Sequence, residues 1–165
     1  GVPGMPARAS GINLDLRSFD PLYQVAGFKP RVQEKGDVLA RLLIRLDEFA
    51  DSVQLIRAFT KEILSAEAKE DPQQNPEITG AAVCRDLAAR TPAASRSALG
   101  AAESWRGPIL FWVELNGRGG ITRCKITDPS FKNWQALSFA VLDNIIPDFP
   151  VCNKSFDLSY SGNDL

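Results

Sequence analysis

The chain is 165 residues long, carries a formal net charge of -1, and contains no histidine and only three cysteines. Those counts exclude a Ser–His–Asp triad or any histidine-based acid–base catalyst, and they speak against a self-contained metalloenzyme. The near-neutral charge is not that of a generally basic nucleic-acid binder, so no nucleic-acid partner is expected.

Hydrophobic content of 44% and charged content of 24% are those of an ordinary globular chain of one-domain size. No apolar run approaches the roughly 20 residues that span a bilayer. The opening Gly1-Val2-Pro3-Gly4 lacks both an initiator methionine and the charged-then-apolar order of a signal peptide, which suggests residues upstream. Residues 1–35 read as an irregular or short-stranded lead-in, because Pro3, Pro6, Pro21 and Pro30 forbid a long helix. Within it, Arg8-Ala9-Ser10-Gly11 and Asp15-Leu16-Arg17 stand out; taken alone, Arg8 reads as a surface arginine.

A long helix is predicted over 36–66. Asp37 is suited to accept from the free amides of the first turn, and no Gly or Pro interrupts Val38 to Ala66. Leu39, Leu42, Leu46, Phe49, Val53, Ile56, Phe59 and Ile63 recur at spacings of three and four, predicting one buried stripe. At about 1.5 Å per residue the helix is on the order of 40 Å long. That exceeds what a domain of this size needs, so it is expected to pack against something else.

Residues 67–80 form a polar, proline-marked linker, and 81–107 a short helix (Ala81–Arg90) followed by a loop (Thr91–Ser95). Over 108–127, Ile109–Leu115, the glycine-rich Asn116–Gly120 and the alternating Ile121–Ile126 predict a β-hairpin. Within 128–147, Asn133–Ile146 is an amphipathic helix ended by Pro147, and 148–165 an irregular tail. The fold class is therefore α+β: a long helix, a β-hairpin and a second C-terminal helix.

Asp37, Arg41, Arg45 and Glu48 share one side of the long helix at spacings of four, four and three. Two readings stay open, a solvated ladder of ion pairs or, because Arg41 and Arg45 sit among leucines and isoleucine, buried charges at a site or interface. Gly117-Arg118-Gly119-Gly120 lacks the following Lys-Ser/Thr of a phosphate loop and reads as a turn. Cys84, Cys124 and Cys152 have no metal-ligand spacing and read as reduced, buried thiols.

Several collinear segments carry a resemblance: Gly4-Met5-Pro6-Ala7-Arg8-Ala9-Ser10-Gly11 with Asp15-Leu16-Arg17; Gly36-Asp37-Val38-Leu39-Ala40-Arg41 through Arg45; Ser52–Ile56; Glu103-Ser104-Trp105-Arg106-Gly107; Arg123–Ile126; and Asn133-Trp134 with Ala136-Leu137. Together they resemble the D subunit of NADH:quinone oxidoreductase (respiratory complex I) and the large subunit of energy-converting membrane-bound nickel–iron hydrogenases of the formate hydrogenlyase type.

The resemblance implies the C-terminal portion of a longer subunit with the hydrogenase large-subunit-like fold, whose long helix belongs to a central bundle. It implies a peripheral place on the cytoplasmic side of the inner membrane. The partners would be an iron–sulfur small subunit, membrane subunits and the subunit's own N-terminal half. Such a fragment would bind no cofactor alone, would not be active alone and could self-associate; quinone and the partner's iron–sulfur cluster are the cofactors implied. Arg8, Asp37, Arg41 and Arg45 would form the polar wall of a quinone cavity, with Asp164 part of a former metal pocket.

Hydrogenases close on Asp-Pro-Cys-x-x-Cys-x-Asp. Here Asp157-Leu158-Ser159-Tyr160-Ser161-Gly162-Asn163-Asp164 puts Ser159 and Gly162 in the cysteine places, so a degenerate nickel–iron site and no bound metal are expected. The rival implication is a non-catalytic scaffold, kept for docking iron–sulfur and membrane partners after loss of the metal.

Overall fold

The computed structural model describes residues 1–67, 96–118 and 120–163. Helix α1 (Met5–Ala9) is followed by a 3₁₀ turn (Leu16–Phe19), α2 (Pro21–Val25) and the long helix α3 (Val38–Glu67). Strands β1 (Arg96–Ser104), β2 (Gly107–Leu115) and β3 (Ile121–Thr127) come next, then α4 (Ser130–Ala140) and α5 (Phe149–Phe156). The fold is α+β, helices with one antiparallel sheet in the order β1-β2-β3.

The lead-in corrects the short-stranded expectation. No long helix forms there, as the prolines require, but two five-residue helices do, with Pro6 and Pro21 each in a first turn where no amide partner is needed. Asp15 and Asp20 cap the second and third of these short elements, their carboxylates accepting from Arg17 N–H and Leu22 N–H. Every residue of α1 is buried, and Met5 and Ala9 form a small core with Ala40 and Ile44 of α3. Alanines at that contact let the two backbones approach closely.

Helix α3 begins as expected, with Asp37 Oδ1 accepting from Ala40 N–H at 2.7 Å. Its buried side is not the expected one. Ala40, Arg41, Ile44, Glu48 and Leu55 are buried, whereas Leu39, Leu42, Leu46, Phe49 and Ile56 are exposed. At about 3.6 residues per turn those sets lie on opposite sides of the helix. Among the described residues, Phe59 of the stripe meets Tyr23 of α2 edge-on and Leu42 borders a groove with Val151 of α5, while Leu39, Leu46, Phe49 and Ile56 face outward.

Residues 81–107 end in a strand, not a loop. β1 pairs with β2 from Arg96↔Leu115 to Ser104↔Gly107, so the hairpin is the second half of a three-stranded meander. The linker, the Ala81–Arg90 helix, the Thr91–Ser95 loop and Cys84 lie outside the described residues. The β1–β2 turn closes on Gly107, at φ +133°, whose Cα presses on Gly4; a Cβ on Gly4 would collide with the Arg106 carbonyl oxygen.

The helix expected over Asn133–Ile146 instead spans Ser130–Ala140. It starts earlier because Asp128 Oδ1 accepts from Ser130 N–H at 2.7 Å, and it stops well before Pro147. The tail is not irregular throughout: α5 runs from Phe149, with Pro150 in its first turn, and ends at Asp157 in the left-handed conformation (φ 54°). Leu137, Cys152 and Phe156 form a second small core between α4 and α5, flanked by Val38 and Trp134.

Candidate functional site

Arg8 is fully buried, contrary to its reading as a surface arginine. Its Nε donates to Glu48 Oε1 at 2.8 Å, and its Nη1 donates to Glu103 Oε1 at 2.9 Å and to the Leu14 carbonyl at 3.3 Å. Nη1 also lies 3.3 Å from Asp15 Oδ2. Asp15 holds Arg17 in a fork, at 2.9 Å from its Nε and 2.6 Å from its Nη2. The second oxygen of Glu103 accepts from Leu16 N–H at 3.1 Å.

Two guanidinium groups therefore face three carboxylates in a nearly closed cluster that joins the lead-in, α3 and β1. Burial pushes the Glu48 carboxyl above the usual range, outweighing the pull of Arg8 and Arg17. Glu48 and Glu103 are 40 and 95 residues from Arg8 in sequence, which is why the pairing was not visible from local spacing.

The ladder along α3 does not form, because each of its members is engaged elsewhere. Arg41 is buried; its Nη1 donates to the Gly36 carbonyl at 2.6 Å and its Nε to Ser155 Oγ at 2.8 Å, with the guanidinium 4.2 Å over the Phe156 ring. Arg45 lies 3.9 Å from Asp157 Oδ2 and 5.8 Å from the Trp105 ring. Arg106 shares that carboxylate at 3.7 Å and donates from Nε to the Asp157 carbonyl. Burial holds both Arg41 and Arg45 below the usual arginine pKa. Asp37 acts as a helix cap, and Asp164 lies outside the described residues. The four described residues of the expected polar wall are thus dispersed.

Of them, Arg41 alone lines a groove of about 760 Å³ whose apolar wall includes Phe131, Ala136, Phe139, Ala140 and Phe156. Ser10, Lys132 and Gln135 also line it, so the buried arginine sits in a groove that is mostly but not wholly apolar. A second groove, about 440 Å³, runs past Arg45 between Leu42 and Val151.

In the tail, Ser159 N–H donates to Ser130 Oγ at 3.1 Å, and Ser159 Oγ accepts from Gly162 N–H at 3.1 Å. The Ser159 carbonyl accepts from Trp134 Nε1 at 3.2 Å. Gly162 is buried against the Asp128 side chain. A neutral hydroxyl and a glycine do not make the thiolate donor set a nickel–iron centre requires. Cys124 lies exposed on β3 and Cys152 is buried in α5, so neither serves this pocket; Cys124 corrects the expectation of buried thiols. Sequence reasoning quoted Glu103 within a motif without a role, and read Asp128-Pro129 only as the stop of the last strand; the local signal for more was an Asp two residues ahead of a helix start.

A family model described as respiratory-chain NADH dehydrogenase, 49 Kd subunit, matches residues 1–164. The D subunit of the NADH-quinone oxidoreductase of Salinibacter ruber is 31% identical, with 95% of this chain and 38% of the relative aligned. The carbon monoxide-induced hydrogenase of Rhodospirillum rubrum is 28% identical over 95% of this chain and 39% of its own. NADH-quinone oxidoreductase subunit 4 of Thermus thermophilus is 28% identical over 95% and 41%. The chain spans about two-fifths of the length of these relatives. The match runs through the arginine cluster, the long helix, the sheet and the tail alike: the chain belongs to the family of the 49-kDa (D) subunit of respiratory-chain NADH dehydrogenase and its hydrogenase large-subunit relatives.

Proposed function

We propose that this chain is the C-terminal portion of the large subunit of a membrane-associated redox complex of the NADH:quinone oxidoreductase and hydrogenase type. Its groove at Arg41 would frame a quinone-type cavity. The observation that carries the reading is a buried guanidinium set in an apolar groove, with the ring of Phe156 beneath it. Gly36 and Ser155 engage Nη1 and Nε, which orients the group and leaves Nη2 to meet a ligand oxygen.

A quinone suits such a place, because its ring and tail bury against phenylalanine and alanine while its carbonyl needs a donor. Charge that develops on that oxygen during reduction is stabilised by a fixed cation in a water-poor site. Arg8 and Arg45 act here as positioning residues, tying α3 to the lead-in and to the end of α5. Electrons would arrive from an iron–sulfur cluster of the partner small subunit. The large subunit would sit peripherally on the cytoplasmic side of the inner membrane against membrane partners. No helix among the described residues is long and apolar enough to cross a membrane.

The test is Arg41→Ala and Arg41→Lys in the assembled native complex. Loss of a charge-assisted hydrogen bond predicts a fall of about tenfold or more in kcat/KM for a short-chain quinone. Reduction of a water-soluble one-electron acceptor and assembly of the complex should be kept. Unchanged quinone kinetics in an assembled variant favour the second reading, a scaffold domain. That reading draws on the outward apolar residues of α3 and on the engagement of Arg41 in internal hydrogen bonds.

A further inference from the structure

We infer that the tail pocket has been rebuilt around the Asp128 carboxylate, so that residue 162 must be glycine and cysteines restored at 159 and 162 would not regenerate a nickel site. The inference concerns the tail and is independent of the quinone reading. A Cβ placed on Gly162 would lie 2.5 Å from Asp128 Cγ and 2.8 and 2.9 Å from its two oxygens. Gly162 is not among the positive-φ glycines, so the requirement is one of space, not of backbone torsion.

Asp128 is not free to swing aside. Its Oδ1 accepts from Ser130 N–H at 2.7 Å at the start of α4, and its carbonyl accepts from Phe131 N–H at 3.2 Å. Ser130, itself fully buried, holds Ser159 through its hydroxyl, and Ser159 in turn accepts from Gly162 N–H. Residues 128–130 and 159–162 are thus locked as one unit. Moving the carboxylate to admit a side chain at 162 would unfasten the start of α4. Charge opposes the reversion as well as space. A metal needs the thiolate, and a cysteine forced against a fixed carboxylate is disfavoured in that form by like-charge repulsion.

The test is a double-mutant cycle between Asp128→Ala, which removes the γ atom, and Gly162→Ala, in the full native chain. Gly162→Ala alone is expected to lower the thermal midpoint by roughly 3–9 °C, and the same change in the Asp128→Ala background to cost much less. Additive effects overturn the inference. Should Gly162→Ala fail to fold, recovery of a cooperative melt in Asp128→Ala/Gly162→Ala supports it. A double variant that stays unfolded while Asp128→Ala folds counts against it. Independently, Ser159→Cys/Gly162→Cys dialysed against nickel(II) is expected to retain no stoichiometric metal; one nickel per chain refutes the argument.

Discussion

Arg8 shows how a residue's neighbours in space outweigh its neighbours in sequence. Taken alone it reads as a surface arginine, yet its flanking alanines let α1 press against α3 and carry the guanidinium into a nest of three carboxylates. Removing one partner from a buried ionic cluster leaves the others unpaired. Arg8→Ala is therefore expected to cost about 3–5 kcal/mol, and Arg8→Lys to recover little because one ammonium cannot reproduce the fork, as urea unfolding would measure. Glu48 gives a second prediction. Its folded-state pKa is raised by burial, so the folded chain holds that proton more tightly than the unfolded one. Its contribution to stability is fully present below the ordinary glutamate pKa and is lost as pH rises from there through the raised value. Asp51 has the opposite sign. Its hydrogen bonds to Arg31 depress its pKa, so its stabilisation is lost as pH falls through that depressed value. Urea midpoints between about pH 2 and about pH 8 should show Glu48→Gln removing the falling limb and leaving the acid limb, which lies below about pH 4 and which Asp51→Asn removes.

At the scale of elements, α3 was legible in its existence, its start and its length, because capping chemistry and an unbroken helical period are local properties. Which face it buries was not. An apolar stripe marks the side that seeks a partner, and among the described residues Leu39, Leu46, Phe49 and Ile56 of that stripe stay exposed, while a narrower face of Ala40, Ile44 and Glu48 makes the internal contacts. The two faces should respond differently to substitution. Ile44→Ala, in the small core with Met5, is expected to destabilise by about 2–4 kcal/mol. Leu42→Glu with Leu46→Glu on the outward stripe should change the unfolding free energy by no more than about 1 kcal/mol and still disrupt assembly of the native complex. Unfolding curves paired with co-purification of the partner subunits would separate these outcomes. α5 escaped the sequence reading because Pro147 and Pro150 look like breakers; Pro150 in fact occupies a first turn, where its missing amide is harmless.

At the scale of the molecule, the apolar side chains left outward are numerous: the α3 stripe, Leu99 and Ile121 on the sheet, Phe139 on α4 and Ile146 beyond it. Isolated residues of this kind are ordinary on any protein surface, but a stripe along a helix of about 45 Å seeks cover. The 165-residue chain by itself is therefore expected to self-associate, its mass in sedimentation equilibrium rising with concentration. Leu42→Glu/Leu46→Glu should lower that mass; a concentration-independent monomer would show the stripe to be tolerable without a partner. The dispersal of Arg8, Arg41 and Arg45 also acts at this scale. Three arginines that look alike in a motif hold three different joints: lead-in to β1, α3 to α5, and α3 to the turn at Asp157.

The sequence by itself determined the family, the α+β class, the capped long helix and the absence of cysteine from positions 159 and 162. Each of these is carried by residue identity or by contacts a few positions apart. Only the tertiary structure decided which arginine meets the groove, which carboxylates surround Arg8, and that Asp128 stands where a side chain on Gly162 would be. Those depend on groups brought together from tens of residues away, where a shift of about one ångström separates a hydrogen bond from a clash. No local periodicity records that distance.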